Sequence, residues 1–183
     1  MRRWVILDRD GVINHVVRGQ YITSPEQVSL LPGAADAIAR LNDNDYSVVV
    51  VSNQQCVGLG LLTQAGLDAV SDAVREAVCA ASGGIITDFF YCPHLKDAGC
   101  ACRKPRPGLL HAAQQRHGFE LATTYFVGDM YSDVLTAKHA ACRSIFVLGG
   151  LDDLLYREGQ PFPHTPDHIA DDLAAATEYI LTR

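Results

Sequence analysis

The chain has 183 residues, 48% hydrophobic and 20% charged, a size and composition that fit one globular domain, residues 1–183, with a substantial core. A formal net charge of -6, with basic residues scattered apart from Arg103-Lys104-Pro105-Arg106, excludes a broad nucleic-acid footprint. No apolar stretch approaches the ~20 residues that span a bilayer, and the run after Met1-Arg2-Arg3 is too short for a signal peptide, so cytoplasmic residence with no membrane partner is expected.

The first apolar run, Trp4-Val5-Ile6-Leu7, ends abruptly in Asp8-Arg9-Asp10-Gly11-Val12. Two acids at i and i+2 of a strand face the same way, and keeping both ionised costs free energy unless a cation or a proton lies between them. The pair suggests a phosphoryl-transfer site, although alone it reads first as a helix cap or an acidic turn. After a polar loop, Pro32-Gly33 opens a helix with Ala34, Ala37, Ile38 and Leu41 on one face, closed by the turn at 42–45. The second run, Val48-Val49-Val50-Val51, ends at Ser52-Asn53, and a second helix is predicted over 63–81 with Leu67, Val70, Val74 and Val78 at helical spacing. A third run covers 85–91 and is followed by a Cys/His-rich segment, and Pro107-Gly108 starts a third helix through 117. A fourth run, 125–127, ends at Gly128-Asp129; a helix over 132–141, a fifth run over 144–148 and a last helix over 171–181 complete the chain.

Continuous apolar strands alternating with helices predict an α/β fold, a doubly wound parallel sheet covered on both faces. Ligands in such sheets sit beyond the carboxyl ends of strands, where Asp8, Ser52 and Asp129 would meet. Asp8 and Asp129 suit magnesium, which prefers oxygen ligands. Ser52, backbone N–H groups near Asn53, and Lys104 could stabilise a phosphoryl group.

Six cysteines in a chain without a signal peptide argue against a disulfide framework. Cys92, His94, Cys100 and Cys102 form a Cys-x-His, five residues, Cys-x-Cys pattern, a closed set suited to structural zinc over a loop at 92–102. The ion would fix where Arg103 and Lys104 point. Cys56, Cys79 and Cys142 stand apart as ordinary small, mostly buried residues.

Taken together, Asp8-Arg9-Asp10-Gly11-Val12, Ser52-Asn53, Lys104, and Gly128-Asp129 with Asp133 resemble the four motifs of the haloacid dehalogenase (HAD) superfamily of phosphatases, over nearly the whole chain. The resemblance implies a Rossmann-like core, Asp8 as the nucleophile that forms an aspartyl-phosphate, Asp10 as general acid/base, and Ser52 and Lys104 as phosphoryl stabilisers. It implies magnesium held by Asp8, the Asp10 carbonyl and Asp129, with Asp133 supporting the site. The Cys/His segment with Arg103-Lys104-Pro105-Arg106-Pro107-Gly108 is similar to the zinc-containing branch that acts on sugar bisphosphates or histidinol phosphate, where Arg103 would contact the sugar or a second phosphate. Where sugar-bisphosphate members typically read Asn-Gln-Ser-Gly-Ile-Ala-Arg-Gly, this chain has Asn53-Gln54-Gln55-Cys56-Val57-Gly58-Leu59-Gly60. The motif spacing leaves no room for a large cap domain. An open site for a small phosphorylated metabolite follows, walled by 18–21, 54–60 and the zinc segment, with Tyr21, Asn53 and Gln54 at the substrate and the protein monomeric. A phosphoacceptor receiver module would be expected to carry its aspartate at the end of a middle strand, where Ser52 stands.

Overall fold

Runs of β-branched residues can be buried on both faces of a sheet, and here they form one. The structure is a computed structural model that describes residues 3–16 and 18–183. Its strands are β1 (Arg3–Leu7), β2 (Tyr46–Asn53), β3 (Ile86–Cys92), β4 (Tyr125–Gly128), β5 (Arg143–Val147) and β6 (His168–Ala170). They lie in the order β3-β2-β1-β4-β5-β6, and every pairing is parallel. The helices are α1 (Ala34–Asp43), α2 (Gln64–Ser82), α3 (Gly108–His117), α4 (Tyr131–His139), the short α5 (Asp153–Arg157) and α6 (Leu173–Leu181).

Alternation along the strands divides the core. Val5, Leu7, Val48, Val50, Val127 and Ile145 pack on one face against Ile38 and Leu41 of α1, Val74 and Val78 of α2, and Ile180 of α6. Ile6, Val49, Val51 and Phe126 face the other way, onto Leu110 and Ala113 of α3 and Ala137 of α4. The Thr63 hydroxyl caps α2 by accepting from the Gly66 N–H at 3.0 Å, and Gly83 ends the helix in the left-handed region.

Six strands replace the five expected from sequence. β6 has three residues, too few to show a pattern, and the last helix opens at Leu173 rather than 171 because the Asp172 carboxylate caps it, accepting from the Ala175 N–H at 2.8 Å. Helix α4 stops at His139, short of the expected 141, where Ala141 takes a φ of 53°. Cys56 and Cys142 are buried as expected, but Cys79 is exposed on α2.

Leu7 pairs with Val50 on one side and Val127 on the other. Asp8 and Asp129 therefore follow their strands directly, and Ser52, next to last in β2, lies at the same carboxyl edge, at the crevice between β1 and β4 where the winding reverses. The connections that frame this edge, residues 8–16, 18–33, 54–63 and 93–107, are loops with one 3-10 turn at Pro25–Gln27, and no cap domain is inserted among the described residues. No helix among the described residues is long and apolar enough to cross a membrane.

Candidate active site and metal centres

Asp8, Asp129, Asp133 and Lys104 are brought together from four places in the chain, all nearly inaccessible. The Lys104 ammonium lies 2.9 Å from Asp8 Oδ2 and 2.7 Å from Asp133 Oδ1, and donates to the Val51 carbonyl at 3.4 Å. Burial pulls its pKa down, but Asp133 and then Asp8 outweigh that and hold it above the ordinary lysine value. Burial pushes the Asp133 carboxyl up to about 6 against the pull of Lys104. Asp129 is raised well above the carboxylate range by burial and then by Asp8 and Asp133, although the Leu151 N–H donates to its Oδ2 at 2.5 Å.

Three carboxylates thus surround one ammonium, with an oxygen from each of Asp8, Asp129 and Asp133 within 4.8 Å of the others. Asp129 Oδ1 is buried without a hydrogen-bond partner, a cost of about 1–3 kcal/mol for an unsatisfied polar group and more for a charged one. A hard divalent cation removes both the charge excess and the orphaned oxygen, so the donor set fits magnesium. Two glycines make room for the Asp129 carboxylate itself. A Cβ on Gly11, which has a φ of 87°, would lie 2.0 Å from Asp129 Oδ2, and one on Gly150 would lie 2.3 Å from the Asp129 Cβ.

Asp10 is partly exposed, its side chain 16% accessible, and is held by three donors. Arg9 Nε and Nη2 reach its two oxygens at 2.9 and 2.8 Å, and Gln54 Nε2 reaches Oδ2 at 2.8 Å. The same Gln54 amide donates to Ser52 Oγ at 3.1 Å. Gln54, expected at the substrate, is therefore buried at 2% exposure with its amide engaged by two proposed catalytic groups. Asn53 also turns to the protein: its Oδ1 accepts from the Lys104 N–H at 3.0 Å and its Nδ2 donates to the Lys104 carbonyl at 3.3 Å, clamping the backbone of that lysine.

Beside these groups opens a cleft of about 680 Å³ lined by Asn53, Gln55, Arg103, Lys104, Met130 and Ser132. Arg103 lies at its edge and donates to the His94 carbonyl at 3.2 Å. Tyr21 meets the 54–60 loop through its hydroxyl, which accepts from Gln55 Nε2 at 2.5 Å. Arg18 pairs with Asp152 at 2.7 Å. Next to the cleft, Cys92, His94, Cys100 and Cys102 converge with separations of 3.2–3.6 Å between neighbouring sulfur and Nδ1 atoms. Those spacings are far beyond a disulfide and within a few tenths of an ångström of the roughly 3.5–3.8 Å edges of a tetrahedron built on Zn–S and Zn–N bonds. The cluster could hold zinc.

The sequence reading missed Arg9, buried at 0% exposure, and the Gly150-Leu151 turn that holds Asp129. The only signal for Arg9 is a long cation between two acids at the end of a buried strand. Nothing local marks Gly150.

The HAD-hydrolase-like family model matches residues 101–176. The D-glycero-beta-D-manno-heptose-1,7-bisphosphate 7-phosphatase of Bordetella bronchiseptica is 38% identical over 177 residues, 97% of each chain. The D-glycero-alpha-D-manno-heptose-1,7-bisphosphate 7-phosphatase of Mycobacterium bovis is 38% identical over 154 residues, 80% of each chain. Among solved structures, the D,D-heptose 1,7-bisphosphate phosphatase of B. bronchiseptica, complexed with magnesium and phosphate, superposes with a TM-score of 0.90 at 37% identity, covering 98% of both chains.

Proposed function

Because the chain belongs to the D-glycero-D-manno-heptose 1,7-bisphosphate 7-phosphatase family of HAD-like hydrolases, we propose that it is a magnesium-dependent phosphoric monoester hydrolase that removes the 7-phosphate of that bisphosphate, a step toward nucleotide-activated heptose and the lipopolysaccharide core. The observation that carries the reading is the meeting of Asp8, Asp129, Asp133 and Lys104 at the β1/β4 crevice of a chain so similar to these enzymes over nearly its full length.

An Asp8 carboxylate oxygen attacks phosphorus, the bond to the sugar oxygen breaks, and Asp10 delivers a proton to that oxygen as it leaves. A water then attacks the aspartyl-phosphate, giving its proton to Asp10, and phosphate and Asp8 are released. Lys104 and the Ser52 hydroxyl stabilise charge on the phosphoryl oxygens. Asp8, the Asp10 carbonyl and Asp129, with Asp133 behind, would hold magnesium, which would supply Lewis-acid neutralisation of the phosphate. Arg103 and Tyr21 flank the cleft and contact the rest of the substrate; Asn53 and Gln54 serve it through Lys104, Ser52 and Asp10. The protein acts as a cytoplasmic monomer.

The test is a kinetic panel of α- and β-heptose bisphosphate, histidinol phosphate and hexose phosphates. One heptose bisphosphate anomer is expected to exceed histidinol phosphate by at least about 100-fold in kcat/KM, well short of the roughly 10⁴–10⁵ available where the wrong substrate leaves polar groups of a site unpaired. A preference for histidinol phosphate overturns the substrate, and activity independent of magnesium overturns the mechanism.

Zinc at the Cys92/His94/Cys100/Cys102 cluster is structural and bound through reduced thiols. A site loaded at about 100 times its dissociation constant contributes about 2.7 kcal/mol, on the order of 5–11 °C in Tm for a chain of this size. Chelation, or Cys100→Ser, is expected to lower Tm by about that much and to reduce the zinc measured per chain, leaving the strand framework intact by circular dichroism. Unchanged Tm with zinc fully removed contradicts the structural role.

A further inference from the structure

Arg9 has the largest side chain among those fully buried, and a guanidinium cannot shed its proton to ease that burial. Its Nε and Nη2 form a fork onto both oxygens of Asp10, while Nη1 has no hydrogen-bond partner. The guanidinium carbon lies 5.7 Å from the centre of the Tyr91 ring, and the Tyr91 hydroxyl is 2.9 Å from Ser71 Oγ on α2. Arg9 is thus braced from β3 and α2, outside the loop it belongs to. A hydrophobic side chain of similar volume fills such a space at lower cost than a charge with one unsatisfied nitrogen. What the arginine adds is a fixed orientation for a carboxylate that is itself 16% accessible and would otherwise rotate.

We infer that Arg9 is a positioning residue for the proton-transfer step: its fork, braced on Tyr91, fixes the Asp10 carboxylate in line with the oxygen that leaves phosphorus. Gln54 supplies the third donor on the same carboxylate. The inference rests on the reading of Asp10 as the group that protonates the leaving oxygen. It predicts a dependence on the leaving group. An alkyl phosphate needs a proton delivered as its P–O bond breaks, whereas p-nitrophenyl phosphate releases a stable phenolate without one.

The experiment compares Arg9→Met, Arg9→Lys and Asp10→Asn in the magnesium-loaded protein, following the first turnover with enzyme in excess on p-nitrophenyl phosphate and on the preferred sugar phosphate. Arg9→Met is expected to slow the first turnover of the sugar phosphate by about 10²-fold, in the range of general-acid contributions, while p-nitrophenol release slows less than about threefold and KM changes little. Arg9→Lys, which keeps the charge but not the fork, is expected to recover only part of the loss and decides the matter if Arg9→Met fails to fold. Equal slowing on both substrates, or a wild-type rate in Arg9→Lys, overturns the inference. Asp10→Asn separates the two readings: if it shows no leaving-group dependence, the role of Asp10 falls; if it does and the Arg9 variants do not, only the role of Arg9 falls.

Discussion

Asp8→Asn is expected to lower kcat on p-nitrophenyl phosphate by at least about 10³-fold, since an amide cannot form the acyl-phosphate and loss of a nucleophile removes most of the acceleration of the unit it belongs to. The fold should survive. The substitution removes the attraction of Lys104 at 2.9 Å but also the repulsion of Asp8 against Asp129 and Asp133, whose oxygens lie within 4.8 Å. At an effective dielectric near 20, charges at such separations interact by roughly 3–6 kcal/mol each, so the gains and losses are of one size. Without metal, the variant should melt within about 2–4 °C of the parent, about 1 kcal/mol for this length, or above it. With magnesium its gain in Tm should be smaller than that of the parent, because one ligand has become neutral. Turnover by Asp8→Asn above about one percent of the parent would require another nucleophile.

Lys104→Met should damage both stability and chemistry. The ammonium touches Asp8 and Asp133 inside the protein, its side chain 2% accessible, and its removal leaves three buried carboxylates with no cation among them. Breaking a buried pair by deleting one partner costs about 3–5 kcal/mol, which corresponds to roughly 6–20 °C in Tm here. Activity is expected to drop by about 10²–10³-fold, the range for deleting one electrostatic stabiliser of a transition state. Magnesium should rescue the melting temperature of Lys104→Met by more than it raises that of the parent, since the ion then supplies the missing positive charge. Thermal melts with and without magnesium, beside turnover assays, test this. A metal-free Tm within about 2 °C of the parent, or equal magnesium shifts in the two proteins, contradicts the account.

Much of this arrangement was legible in the linear chain because it is written locally. Asp8, Ser52 and Asp129 follow apolar runs directly, and a parallel sheet brings the carboxyl ends of its strands to one edge. The Cys/His cluster shows in spacing alone because its four residues lie within one loop. The clamp of Asn53 on Lys104 and the brace of Arg9 on Tyr91 are different: each joins loops or strands brought near by the fold, and no local pattern announces them. Gln54 shows the same limit. It reads as a polar loop residue facing the substrate, yet its backbone N–H donates to the Cys92 carbonyl at 2.8 Å and its side chain turns inward to Asp10 and Ser52. β6 escaped notice for want of length, and Gly150 because the atoms that demand a glycine there belong to Asp129, just past β4.

The pairing of Leu7 with Val127 has a consequence during biosynthesis. On the ribosome, β1, β2 and β3 emerge well before β4, so the nascent chain can lay down β3-β2-β1 while the other side of β1 has no neighbour. That side is a bare edge, open to pairing with another chain. A product truncated between Lys104 and Tyr125 would therefore carry the nucleophile, the proton carrier and the zinc cysteines, and behave as a self-associating half-sheet rather than as a weak enzyme.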